Sequence, residues 1–186
     1  KNITCGEGGA IITNHNNINL IKSFLINGMT ASAQSRFSGN KYNNWDVKKP
    51  GFKGNLSDIN ASLLLPQIPK ENSNASKRNK IYKYFRKKLI TYVDLPESTH
   101  FKRRDYHLFP IGLRNKRQRD KLLKVLFSKK IPATVNYTAI TKLHYYKKKY
   151  KTKSQVSENW GDRTLSLPFH LKLNKKKIDF ICKTIL

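Results

Sequence analysis

The chain has 186 residues, 38% of them hydrophobic and 11% aromatic, which is enough for a packed core and argues against global disorder. Its 38 Lys and Arg against 11 Asp and Glu give a net charge of +27. That charge admits a polyanion partner but does not assign one, because the abundant Lys, Asn, Ile, Tyr and Phe also follow from adenine- and thymine-rich codons. No apolar run reaches membrane-spanning length, no leader of basic then apolar residues is expected, and two distant cysteines, Cys5 and Cys182, give neither a disulfide framework nor a metal-ligand spacing. The expected compartment is a reducing cytoplasm.

In chain order, Lys1-Asn2-Ile3-Thr4 precedes a glycine cluster, Gly6-Glu7-Gly8-Gly9, and the run Ala10-Ile11-Ile12, which reads as a buried strand. Thr13–Asn17 is a polar turn suited to capping the helix marked by Ile18, Ile21 and Leu25, and Asn27-Gly28 stops that helix. Positions 29–51 are irregular, with Phe37, Tyr42 and Trp45 spread singly, and a loop of that length in a compact domain is more often functional than idle. Ser57 is the expected N-cap of a helix carrying Ile59, Leu63 and Leu64, which Pro66 and Pro69 should break.

A second helical stretch runs from Ser76 to Ile90. His107–Leu113 reads as a strand, with Pro110 favouring an edge or a bulge. A helix over Arg119–Lys130, a short strand over Ala133–Tyr137, a basic stretch over Lys142–Lys153 and an apolar segment over Thr164–Pro168 follow. Asn174 caps a last helix through Ile178, Ile181 and Ile185. This order suggests a small α+β domain in the second part of the chain.

Several blocks together resemble the DegT/DnrJ/EryC1/StrS sugar aminotransferases. They are Lys1-Asn2-Ile3-Thr4 with Gly6-Glu7-Gly8-Gly9; Asn27-Gly28-Met29-Thr30; the run from Gly51 to Ala61; His107-Leu108-Phe109-Pro110; Tyr145-Tyr146; and Leu165-Ser166-Leu167-Pro168. The resemblance implies an α/β fold of the PLP-dependent transferase fold type I, like aspartate aminotransferase. Residues 1–75 would be the end of the large PLP-binding domain and residues 76–186 a small C-terminal α+β domain. It implies pyridoxal 5'-phosphate as cofactor and transfer of an amino group, usually from glutamate, to a keto group of a nucleotide-linked sugar for cell-surface polysaccharide or amino-sugar synthesis. By the same resemblance Lys1 is the catalytic and cofactor-binding lysine that forms the Schiff base. Related dehydratases carry histidine there, so the lysine favours transamination. Asn55 resembles the asparagine that reaches the PLP phosphate of a neighbouring subunit, which implies a homodimer.

The residues leave simpler readings beside these. Asn55 and Ser57 can merely cap the next helix. Arg36 suits a substrate diphosphate in bidentate fashion or a solvated surface, and Tyr137 and Tyr145 suit a substrate cleft or ordinary packing. His107 reads first as a hydrogen-bonded structural histidine, and Lys147-Lys148-Lys149 as a solvated face. The family commonly has histidine where this chain has Asn27 and Asn136, and another near Thr141; Gly54 stands where the family often has tyrosine. No metal ligands are expected, and neither a nucleic acid nor a membrane is the expected partner. A basic module for RNA or another polyanion, or an inactive fragment of the aminotransferase, remain the competing readings.

Overall fold

The computed structural model describes residues 1–32, 35–37, 40–97 and 106–186. Within the irregular stretch 29–51, positions 33–34 and 38–39 lie outside the described residues. The chain forms two compact units, Ile3–Pro69 and Lys1–Asn2 with Lys70–Leu186.

In the Ile3–Pro69 unit, α1 spans Ile18–Leu25 and α2 spans Asp58–Ser62. The helix stop expected at Asn27-Gly28 is present, with both residues at positive φ, 65° and 81°. Gly28 is required there, because an added Cβ would overlap the Lys49 carbonyl oxygen. Ser57 caps α2 as expected, accepting from the Asn60 N–H at 3.2 Å. Pro66 lies in the turns after α2, and Pro69 lies in a short 3-10 turn, Ile68–Lys70.

The strand expected at Ala10-Ile11-Ile12 is not formed. These residues pair with no strand among those described, and Ile12 is 96% exposed. An apolar tripeptide becomes a strand only beside a neighbour that takes its hydrogen bonds, and none stands beside it among the described residues of this unit.

The second unit carries the core. Here α3 spans Glu71–Leu89, β1 Phe109–Gly112, α4 Lys116–Ser128, α5 His144–Tyr150, α6 Gln155–Arg163, β2 Thr164–Leu167 and α7 Lys175–Ile185. Ala75, where the sequence divides the chain, lies inside α3. The two strands pair antiparallel, with Phe109 opposite Leu167 and Gly112 opposite Thr164. Single bridges extend this ribbon on both sides, Asp94 to Gly112 and Thr134 to Ser166. The strand expected over Ala133–Tyr137 is reduced to that one bridge at Thr134.

Pro110 is tolerated in β1 for a reason visible in the ladder. The Gly112 N–H points outward, to the Asp94 carbonyl at 2.7 Å. Two residues earlier, the Pro110 nitrogen faces the same outer side, where β2 asks for no donor.

One face of the ribbon, Phe109, Ile111, Leu165 and Leu167, is fully or nearly fully buried. It packs with Tyr82, Phe85 and Leu89 of α3, Leu126 of α4, and Ile178, Ile181 and Cys182 of α7. The spacing of these helix positions by three and four residues is what turns one stripe of each helix to the sheet. Asn115 and Asn174 cap α4 and α7, each accepting a backbone N–H at 3.0 Å. Helix α6 has no counterpart among the expected elements. Its apolar content is little more than Val156 and Trp160, too sparse to show a period.

Candidate functional site

Lys1 stands on a backbone fixed one residue later. The Asn2 side-chain amide donates to the Tyr106 carbonyl at 3.3 Å, and the Arg78 guanidinium donates to the Asn2 carbonyl at 3.3 Å. Tyr106 is held in turn by Tyr82, whose ring stacks on it at 3.7 Å between centroids. Lys1 itself is exposed. Next along the chain from Tyr106, His107 has its imidazole held below its ordinary pKa, first by desolvation and then by the positive charge of Lys1. Both causes favour the neutral imidazole.

In the Ile3–Pro69 unit, blocks far apart in sequence come together. The Gly6-Glu7-Gly8-Gly9 turn lies on the α2 region: the Asn60 amide donates to the Glu7 carbonyl at 3.4 Å. A Cβ added to Gly8 would come within 2.7 Å of Cys5 Sγ and 2.9 Å of Leu56 Cδ1. A side chain there would require the ends of the Cys5 and Leu56 side chains to shift. The Asn27-Gly28 turn meets the Gly51 block. The Asn27 N–H donates to Phe52 at 2.9 Å, the Phe52 N–H to Phe24 at 2.6 Å, and the Gly54 N–H to Leu25 at 2.8 Å.

Gln67, a residue that periodicity does not single out, secures the turn from the other side. Its amide accepts from the Thr4 N–H at 3.1 Å and donates to the Thr4 carbonyl at 2.7 Å. No local signal marks such a residue, since its partner is 63 positions away.

Asn55 is exposed and takes no part in capping α2, which Ser57 does alone. Its amide makes no hydrogen bond among the described residues and is available to a ligand. Arg36 lies in a 3-10 turn, Ser35–Phe37. Its guanidinium stacks over Trp45 at 4.8 Å, and one Nη donates to Met29 Sδ at 3.2 Å. Its Nε is buried with no acceptor among the described residues, an unmet donor of the kind an anion satisfies.

Tyr137 is 68% exposed and follows a cis peptide bond after Asn136. Lys1 and Tyr137 belong to one unit, and Arg36 and Asn55 to the other. Tyr145, Tyr146 and Tyr150 line the exposed side of α5 with Lys149 against two of their rings. Among the described residues no group of histidine, cysteine and carboxylate side chains could hold a metal ion.

A sequence model described as the DegT/DnrJ/EryC1/StrS aminotransferase family matches residues 1–186. Among solved structures, the chain is similar to a putative sugar aminotransferase, Spr1654, from Streptococcus pneumoniae in its PMP form. The TM-score is 0.77 at 22% identity, over 88% of this chain and 42% of that one. A DegT DnrJ EryC1 StrS aminotransferase from Brucella abortus gives a TM-score of 0.75 at 24% identity, over 93% and 44%. PseC of Helicobacter pylori, an aminotransferase involved in the biosynthesis of pseudoaminic acid, gives 0.74 at 24%, over 89% and 44%. These likenesses establish the fold, and the chain spans less than half the length of the structures it matches.

Proposed function

The chain belongs to the DegT/DnrJ/EryC1/StrS aminotransferase family, and from that premise we propose that it carries the lysine-bearing part of a PLP-dependent sugar aminotransferase. The amino donor is glutamate and the acceptor a keto group on a nucleotide-linked sugar, in cell-surface polysaccharide or amino-sugar synthesis in the cytoplasm. The observation that carries this reading is the family match over residues 1–186 with lysine retained at Lys1. Residues 1–75 belong to the large cofactor domain and residues 76–186 to the small one.

The donor set suits the cofactor. Lys1 offers an exposed amine on a backbone fixed at Asn2. Asn55 offers an amide not consumed by the helix cap. PLP, when bound, supplies the electron sink that lets a C–H bond beside the substrate nitrogen break. Lys1 would hold the cofactor covalently, and its Nζ would carry the proton from one carbon to the other. Asn55 would donate its amide N–H to a phosphate oxygen of the neighbouring subunit's cofactor, which makes a homodimer the working assembly. Arg36, through its unmet Nε donor, would bind the substrate diphosphate, and Tyr137 would line the sugar cleft.

The test is cofactor uptake. PLP added to the protein should give a visible absorbance band that borohydride fixes to the chain, and Lys1→Ala should remove both the band and the label. Asn55→Ala should keep the band and weaken PLP binding roughly tenfold to a hundredfold, the worth of one hydrogen bond to a charged group. No band in the wild-type protein would overturn the reading for this chain and favour an inactive fragment. One observation favours a polyanion-binding module instead, the exposed Tyr145, Tyr146 and Tyr150 beside Lys147-Lys148-Lys149. Tight, steeply salt-dependent RNA binding without PLP uptake would establish that alternative.

A further inference from the structure

Two adjoining hollows lie between the end of α4 and the start of α7. The larger, of about 460 Å³, has Ile131, Leu173 and Ile181 in its floor and Pro132, Pro168 and Phe180 in its walls. The smaller, of about 370 Å³, is bounded by Phe127, Lys130, Ile131 and Pro132, so the two share Lys130, Ile131 and Pro132. The floor residues are buried, whereas Phe127 at one end and Phe180 at the other are 70% and 52% exposed. Large aromatic side chains at both ends of a recessed apolar trough are the anatomy of a docking groove.

Its rim is cationic. Lys129 and Lys130 come from the end of α4, Lys176 and Lys177 from the first turn of α7, and His170 from the connection before it. Among the described residues, no aspartate or glutamate lines either hollow. The one acidic side chain of α7, Asp179, bonds to the Tyr84 hydroxyl at 2.9 Å and pairs with Lys88 at 3.0 Å on α3. The lysines of α7 sit where the helix dipole already favours negative charge, and no carboxylate occupies that first turn.

We propose that this groove docks an acidic segment of a partner protein, which places an apolar side chain in each hollow and its carboxylates against the lysine rim. Charge complementarity selects an anionic partner. The recessed floor selects inserted side chains over a lipid surface, which has no projections to fill two separate hollows. A nucleic acid would instead stack its bases on Phe127 and Phe180 without using the apolar floor, and the experiment separates it from a peptide.

The experiment measures fluorescence anisotropy of the full chain with labelled acidic peptides, each carrying two leucines or phenylalanines three, four or seven residues apart. One spacing should bind. An otherwise identical peptide with serine at both anchors should bind at least about tenfold more weakly. Lys130→Glu and Lys176→Glu should each weaken the anchored peptide about tenfold, and Phe180→Ser should do the same without altering charge. Circular dichroism of the variants confirms that the fold is kept, all three positions being exposed. The proposal is overturned if no spacing binds, or if serine and leucine peptides bind alike. It is equally overturned if vesicles containing phosphatidylglycerol or a single-stranded RNA displace the peptide from the wild-type groove and lose binding in Phe180→Ser.

Discussion

At the scale of single residues, burial decides chemistry more than residue type does. Cys182 is 2% exposed in the core, and burial, with the Asp179 charge adding to it, pushes its thiol up to about 11. The thiolate is the reactive form, so Cys182 should be silent toward Ellman's reagent at pH 8 in the folded chain and react only on denaturation. The linkage has a defined sign. The unfolded thiol ionises near its ordinary value while the folded one does not, so this group's contribution is intact at neutral pH and is lost as pH rises toward 11. In Cys5→Ser, which leaves Cys182 as the sole thiol, a reaction at once in the native protein would contradict the placement of α7. Asn55 makes the opposite case. Its meaning came from the surrounding block, and the structure separates it from the competing cap role by giving that role to Ser57 alone.

At the scale of elements, α4 and α7 hold through side-chain caps and, with α3, through one shared stripe. Removing a cap oxygen in Asn115→Ala or Asn174→Ala should each cost about 1 kcal/mol in urea denaturation. Phe85 is fully buried between α3 and the β1–β2 ribbon and stacks with Phe109 at 4.8 Å. Phe85→Ala should cost about 3–5 kcal/mol, and a loss below 1 kcal/mol would mean that this face is not the core. The α3–α7 contact is also polar. Lys88, and then the Tyr84 hydroxyl, hold the Asp179 carboxyl below its usual value. A depressed carboxylate stabilises the fold above its unfolded pKa, and that contribution is lost as pH falls through the folded value. The pair is solvent-exposed, so Asp179→Asn should lower the melting temperature slightly at pH 7, less in high salt, and not at all at strongly acid pH.

At the scale of the whole chain, the two units differ in what they bury. Cys5 is the one buried hydrophobic residue among those described in Ile3–Pro69, while the other unit buries a continuous cluster. Local stability follows buried apolar contact. Limited proteolysis should therefore cut within Ile3–Pro69 first, and amide exchange should be slowest in β1, β2 and α3. Equal protection across both units would defeat this expectation. The net charge of +27 acts on the chain as a self-repulsion, so the melting temperature should rise when salt is raised from low to physiological ionic strength.

Much of the second unit was legible in the sequence because its signals are local. Asn174 announces a helix start by spacing alone, and Phe109, Ile111, Leu165 and Leu167 alternate as strand residues must, whereas the start expected at Arg119 lies inside α4, which Asn115 caps. The Lys1 block, the Asn27-Gly28 stop and the Gly51–Ala61 run were legible as motifs. What joins them was not. Gln67 grips Thr4 across 63 residues, Arg78 grips Asn2 across 76, and Gly8 packs against a leucine in another block. Ala10-Ile11-Ile12 shows the converse failure: composition favours a strand, but a strand exists only where a partner takes its hydrogen bonds. The sequence by itself determined the family and the apolar stripes of α3, α4 and α7, since each depends on neighbours within a few positions. Only the tertiary structure decided which carbonyl anchors Asn2, that Asn55 is spared from capping, and that lysines from α4 and α7 rim one apolar groove. Those facts depend on distances between residues that the order of the chain does not contain.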